Sequence, residues 1–266
     1  MSRTAAALVI GNEILSGKIN DTNTACLARG LFKLGIELRR VVVCGDEVAT
    51  IRDELNGLRS THDLVFTSGG VGPTHDDVTI EGVASAFGRD VVRSKAAAKV
   101  VRQYCGDDAT EAHLRMADMP EGSEILRSAE APWPTVAIEN VFVLPGVPEF
   151  FELKVADLRK RLDTGHRFHL ESVFTLSGEE AIADLLEGIA RAFPSVIVGS
   201  YINWGADDYR TKVTFDSRDA AAAKRAADML VDALPTELLV RREPSNARPT
   251  RSEPRSLGGN EQEGKG

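Results

Sequence analysis

A chain of 266 residues, 42% apolar and 27% charged, can fill one large domain or a medium and a small one, and can bury a core. Its formal charge of −8 argues against general binding to nucleic acid or to an anionic membrane surface. No stretch approaches the roughly 20 apolar residues of a membrane span. The apolar run at the start is too short for a signal-peptide core, so a cytoplasmic location is expected.

The first apolar run, residues 5–10 (AAALVI), reads as a strand. The segment TNTACLARGLFKLG has helical spacing at Ala25, Leu27, Ala28, Leu31 and Leu34, with Gly35 as a C-terminal cap. Residues 36–44 form the next strand, and Asp46 is placed to cap a helix over 48–58. Residues 63–70 (DLVFTSGG) are continuously apolar, as a buried parallel strand would be. A helix is expected over 76–87, ended by Gly88, and further helical patterns at 95–104 and 111–116. Residues 136–146 read as two short strands around Glu139 and Asn140, followed by a helix over 149–162 entered through Pro148. Strand–helix alternation with short connections predicts a largely parallel sheet covered by helices on both faces, with ligands at the carboxyl ends of the strands.

The pattern changes after Gly165. Strand, helix, two strands, helix and strand follow, the βαββαβ order of a ferredoxin-like unit. The expected organisation is therefore a first domain over 1–166, a small α+β domain over 167–242, and a disordered polar tail over 243–266. Cys26, Cys44 and Cys105 form no CxxC pair, so neither a zinc knuckle nor a disulfide framework is expected. Cys26 and Cys44 read as small buried core residues.

The chemistry gathers in the loops after the strands. SGGVGPTHDDVT, residues 68–79, follows a strand and precedes a helix. Its glycines let the backbone approach a ligand, and N–H groups near a helix start suit a phosphate. It is neither a Walker A loop nor a GxGxxG fingerprint. Asp76 and Asp77 carry two readings. They cap the helix and complement its dipole, or they hold a divalent cation that bridges to phosphate oxygens. Successive helical residues point about 100° apart, so one can face the ligand while the other caps. His75 either donates to phosphate or faces solvent.

Glu13 lies after the first strand. Asp21 or Thr22 caps the following helix, and the amides of Asn20 and Asn23 are candidates to read the polar edge of a bound ring. Asp46 is either a cap or a site residue. The stiff turn at Pro145 and Gly146 is a candidate wall of the pocket, with Glu149 at a helix start. In the small domain, Tyr201 and Trp204 are able to stack on a flat ring. The Asn203–Gly205 spacing equally marks a strand-to-strand turn with a packed Trp204.

GNEILSGKINDTNT, VVVCGDEVATI, SGGVGPTHDDVT and FVLPGVPEF together resemble the molybdopterin-binding (MoaB/Mog-like) domain family. The match is to competence/damage-inducible protein A N-terminal domains, and closer still to the molybdopterin-binding-like domain of FAD synthase. The resemblance implies a three-layer α/β/α sandwich with a mostly parallel sheet, joined here to the small ferredoxin-like domain. It implies a pocket for a nucleotide or pterin ligand, and a homo-oligomer, dimer or trimer.

Carried over residue by residue, the ligand-binding positions are Ser68, Gly69, Gly70, Gly72, Thr74, Asn23, Asp46, Pro145, Gly146 and Glu149. Asp77 and Asp76 are the catalytic positions, and with Glu13 the metal positions. The implied cofactor is a divalent metal, Mg²⁺ or a transition metal such as Mn²⁺ or Co²⁺, since oxygen ligands disfavour zinc. The implied activity is metal-dependent cleavage of the diphosphate of FAD or ADP-ribose. The alternatives are a non-catalytic molybdopterin- or nucleotide-binding module, and a molybdopterin adenylyltransferase in molybdenum cofactor biosynthesis. Val71 stands where many members carry threonine or leucine. No FAD-synthesising domain and no nicotinamide-mononucleotide amidase domain follows in this sequence, so neither activity is expected.

Overall fold

The computed structural model describes residues 3–127, 133–163, 165–205 and 208–244. The chain divides into two compact units, Met1–Phe168 and His169–Gly266.

In the first unit, β1 (Thr4–Ile10) is buried along its whole length. Its alternate side chains serve two cores. Ala5 and Ala7 join one apolar cluster and Ala6, Leu8 and Ile10 the other, as the two-residue period of a strand requires. A short helix α1 (Asn12–Leu15) follows, absent from the sequence expectation, then α2 (Asn23–Phe32). Next come β2 (Glu37–Cys44), α3 (Val48–Arg59), β3 (Leu64–Ser68) and α4 (Thr79–Phe87).

An insertion then carries β4 (Val91–Arg93), α5 (Lys95–Cys105), α6 (Glu111–Arg115) and β5 (Asp118–Pro120). The chain returns to the main sheet through β6 (Glu124–Leu126), β7 (Thr135–Ile138) and β8 (Val141–Leu144), and α7 (Pro148–Leu162) closes the unit.

The main sheet has the order β2-β1-β3-β8-β7-β6. Its first four strands are parallel, β7 is antiparallel to β8, and β6 is antiparallel to β7. Leu27, Leu31, Phe151, Val155 and Leu158 of α2 and α7 cover one face, with Phe66 beneath them. Ile51, Leu55, Leu58 and Val83 of α3 and α4 cover the other. This is the three-layer α/β/α arrangement. Phe66 is 1% exposed and stacks on Phe142 with ring centroids 5.3 Å apart. The antiparallel pair β4-β5 has a small core of its own, in which Val101 and Met119 pack with Ala97, Ala98 and Ala117.

Two helix starts differ from expectation. The helix assigned to 76–87 begins at Thr79, because Asp76 and Asp77 are engaged in a turn with Thr74. Asp46 does not cap α3. Its carboxylate instead accepts the Asn12 N–H at 2.8 Å, fixing the start of α1. Cys44 is buried and Cys26 half-buried against the first core.

The second unit runs β9 (His169–Thr175), α8 (Glu179–Ala192), β10 (Ile197–Ile202), β11 (Thr211–Ser217), α9 (Ala220–Ala233) and β12 (Leu239–Pro244). The sheet order is β10-β11-β9-β12 with every neighbouring pair antiparallel, the ferredoxin-like arrangement. Asp219 starts α9 by accepting the N–H groups of Ala221 and Ala222 at 2.8 and 3.2 Å. Alanines at 222, 226 and 227 with Leu230 then form its buried stripe.

Trp204, read either as packed at a strand-to-strand turn or as able to stack on a ring, is 88% exposed, which does not fit the packed reading. Glu243 and Pro244, expected to open the tail, belong to β12, and residues 245–266 lie outside the described residues. No helix among the described residues is long and apolar enough to cross a membrane.

Candidate functional site

Because β1, β3 and β8 are parallel neighbours, the loops after Ile10, Ser68 and Leu144 emerge on one edge of the sheet. The chain leaves β1 for β2 on one side and later returns to place β3 on the other. Such a switch opens a crevice at the carboxyl ends of the strands. A cavity of about 670 Å³ lies there, within the range of sites that enclose a small organic ligand.

Its first wall is the glycine loop. Gly69 has φ +105° and a Cβ there would overlap the Ile10 carbonyl oxygen. Gly70 has φ +65° and a Cβ there would overlap the Thr79 hydroxyl. Both positions therefore need glycine for conformation and for space. Hydrogen bonds lock the turn: Gly69 N–H donates to Leu144 O at 3.2 Å, Thr79 N–H to Gly70 O at 3.0 Å, and the Thr79 hydroxyl to Gly69 O at 2.9 Å. Asn23, at the first turn of α2, ties the wall together from behind. Its Nδ2 donates to Ser68 Oγ at 3.0 Å and to Gly146 O at 2.8 Å. Gly146 in turn approaches Gly69 so closely that a Cβ would sit 3.3 Å from the Gly69 Cα.

Of the residues singled out from the sequence, Glu13, Asn23, Ser68, Gly69, Gly70, Gly72, Thr74, Asp77, Pro145 and Gly146 line the cavity. Asp76, Asp46 and Glu149 are not among its lining residues. Both side-chain donors of Asn23 are engaged within the protein, so its N–H groups brace the wall rather than donate to a ring edge. Asp21 lines the cavity and also holds the Thr24 N–H at 3.0 Å.

Asp77 is half-buried. Its Oδ2 accepts the Thr74 N–H at 2.9 Å and the Thr74 hydroxyl at 2.5 Å, and lies beside Gly72. The Thr74 hydroxyl also lies 2.6 Å from Asp76 Oδ1, and this contact, with Asp76's own backbone N–H, holds the Asp76 carboxyl below the usual range. His75 is at the rim with its side chain 97% exposed.

No group of three or more histidine, cysteine, aspartate or glutamate side chains among the described residues is arranged to hold a metal. A dedicated protein cage is thus absent there. Glu13 and Asp77 do offer hard carboxylate oxygens to one cavity, which suits Mg²⁺, an ion bound through one or two carboxylates with water and substrate phosphate.

A further set of lining residues was not anticipated from the sequence. It comes from the insertion, the segment before β7 and α7: Val101, Arg115, Met116, Met119, Trp133, Phe150 and Lys154. Lys154 is 5% exposed, and its Nζ donates to the Trp133 carbonyl. Burial pushes its pKa down to about 8, opposed by the nearby Asp157 carboxylate. The available signal was its spacing, four residues after Phe150 and four before Leu158, inside the apolar stripe of the helix.

Comparison with known proteins agrees with this architecture. Residues 6–162 match the family described as "Probable molybdopterin binding domain", and residues 167–243 match "FAD synthase, middle domain". A protein of Archaeoglobus fulgidus is 35% identical over 225 residues, covering 85% of this chain and 95% of its own length. The "Probable FAD synthase" of Caenorhabditis elegans is 30% identical over 259 residues, covering 87% of this chain. The chain spans about half the length of that relative, 50%. Among solved structures, CinA of Thermoplasma acidophilum, described as of unknown function, superposes with a TM-score of 0.56 at 31% identity, over 60% of this chain and 98% of its own.

Proposed function

The chain belongs to the molybdopterin-binding domain family across residues 6–162, and we propose that its cavity binds a nucleotide diphosphate, FAD or ADP-ribose, and hydrolyses it with a divalent metal. The supporting observation is one cavity that presents a glycine loop together with carboxylates, Glu13 and Asp77 among them. Gly69, Gly70 and Gly72 offer close backbone approach, while Glu13 and Asp77 offer oxygen ligands. Phosphate and carboxylate repel each other, and a cation between them removes the conflict.

Glu13 and Asp77 would hold the ion, which supplies Lewis-acid polarisation of a phosphoryl oxygen. The protein's own residues position the substrate. Thr74 orients Asp77 through two hydrogen bonds to Oδ2. The Asn23 clasp keeps the glycine loop and the Pro145–Gly146 turn together, so the loop is preorganised for a diphosphate. In the reaction one P–O bond of the P–O–P bridge breaks. Water contributes hydroxide to one phosphorus and a proton to the oxygen that leaves with the other. FAD gives FMN and AMP, and ADP-ribose gives AMP and ribose 5-phosphate.

Purified protein given FAD or ADP-ribose with Mg²⁺, Mn²⁺ or Co²⁺ should release AMP, and Asp77→Ala should abolish the release. No AMP with any ion would overturn the proposal. An Asp77→Ala protein of wild-type activity would remove Asp77 from the site.

A second reading, binding without turnover, is favoured by the lack of a three-ligand metal cluster among the described residues. Under that reading ligand binds with micromolar or better affinity, no AMP appears, and affinity does not respond to a chelator.

A further inference from the structure

The cavity lining also has a set of apolar and aromatic side chains. Val101, Met116, Met119 and Trp133, with Phe150 on α7, belong to it, beside the charged Arg115 and Asp118. Phe150 and Lys154 are one helical turn apart and line the same cavity. Lys154 thus brings an ammonium to a cavity with apolar and aromatic lining, with the Asp157 carboxylate nearby. Among the described residues its hydrogen-bond partner is the Trp133 carbonyl. An ammonium has three donors, so two are without a partner among the described residues and can meet a ligand. A buried cation without full compensation is costly, and an acceptor brought by the ligand would supply what the apolar wall does not.

We propose that Lys154 is a specificity-determining residue that selects ligands by the edge of their ring. It would donate to the carbonyl and ring-nitrogen acceptors of a fused heteroaromatic system, the edge that isoalloxazine and pterin rings share. Adenine presents an amino donor on its corresponding edge and no carbonyl, and a donor meeting an ammonium is repelled. This rests on the nucleotide-diphosphate reading of the cavity and deepens it. Of the two substrates, it favours FAD, whose second ring has carbonyl acceptors, over ADP-ribose, which has no second ring.

The experiment is equilibrium binding of riboflavin, 6-hydroxymethylpterin and AMP to wild type, Lys154→Met and Lys154→Gln, with a thermal melt of each protein. Methionine keeps the length and apolar stem, and glutamine keeps an N–H donor for the Trp133 carbonyl. Loss of a charged hydrogen-bond donor should weaken the ring ligand about tenfold or more. AMP affinity should change less than about twofold, and glutamine should fall between wild type and methionine.

Riboflavin binding with no pterin binding assigns the site to flavins, and the reverse assigns it to pterins. Equal losses for riboflavin, pterin and AMP, or no loss for any ring ligand in a folded variant, overturn the proposal. So does a wild-type protein that binds neither ring. AMP release from FAD is measured separately. Its absence would sink the hydrolase reading while leaving a Lys154-dependent ring affinity intact.

Discussion

The side-chain amide of Asn23 donates to the hydroxyl of Ser68 at 3.0 Å, joining the first turn of α2 to the last residue of β3 across 45 residues of sequence. The same nitrogen reaches Gly146 O at 2.8 Å. Both contacts are sheltered, since Asn23 is 6% exposed. Replacing Asn23 with alanine leaves a serine hydroxyl and a carbonyl without this partner. The expected cost is about 2 kcal/mol, the range for removing one member of a buried polar set, read by urea denaturation. Ligand affinity should fall as well, because the two loops lose their link. A variant with wild-type stability would show that the clasp contributes nothing.

Gly69 and Gly72 should respond in opposite ways. At Gly69 a methyl group would meet the Ile10 backbone at a φ of +105°. Gly69→Ala should therefore cost more than about 2 kcal/mol and lower the melting temperature clearly. At Gly72 a methyl group would lie 2.7 Å from Asp77 Oδ2, the far end of a side chain that can turn. Gly72→Ala should melt within a few degrees of wild type yet lose activity by displacing that carboxylate. Similar melting temperatures for the two variants would contradict this assignment.

Asp46 and Asp77 separate structural from site carboxylates. Asp46 holds the Asn12 N–H at 2.8 Å and is not among the residues lining the cavity. Asp46→Ala should destabilise by about 1 kcal/mol with turnover retained. Asp77→Ala should lose turnover, together with a stability cost of about 1 kcal/mol or more from the two Thr74 hydrogen bonds it gives up. Measuring melting temperature and AMP release on both proteins tests the pair. Loss of turnover in a folded Asp46→Ala protein would return Asp46 to the site.

Lys154 should give the protein an alkaline stability signature. Burial lowers its pKa from the ordinary 10.5 to about 8. Between those values the unfolded chain keeps a proton that the folded chain has lost, so stability rises with pH, by up to about 1.4 kcal/mol per pH unit. Below pH 8 the folded state carries the full cost of the buried charge. Cys44 acts with the opposite sign. Burial, helped by Glu54 and Asp46, raises its thiol from 9.0 to about 11, so stability falls as pH climbs from 9 to 11. The wild-type curve should rise from pH 8 to 9, where Lys154 acts alone of these two, and lose that rise above 9, where Cys44 opposes it. The difference between wild type and Lys154→Met, in which Cys44 cancels, should keep changing to about pH 10.5. A difference independent of pH between 8 and 10.5 would mean that Lys154 is not held as the structure describes.

The architecture was largely legible because its signals are local. The unbroken apolar run of β1 reports a strand with a core on each face. The proline that opens α7 and the spacing of Phe151, Val155 and Leu158 report its start and buried face. Asp76 and Asp77 were misread as the first residues of α4. An aspartate before an apolar helical run has the same local pattern whether it caps the helix or a preceding turn, and here Thr74 captured both carboxylates. Asp46 failed for a similar reason, since Asn12 competed for it from another loop.

Sequence order alone was enough to mark the glycine loop, its acidic neighbours and the alternation that stacks helices on a parallel sheet. Each is written within a few neighbouring residues, where steric limits and side-chain period act directly. What faces the cavity was decided by folding. Asn23 meets Ser68 and Gly146, 45 and 123 residues away, once the strands have aligned. Lys154 meets the Trp133 carbonyl from a helix 21 residues later. A lysine on a helix reads as a solvated residue until the fold removes its water, and burial of that charge follows from the packing of separate segments rather than from any local pattern.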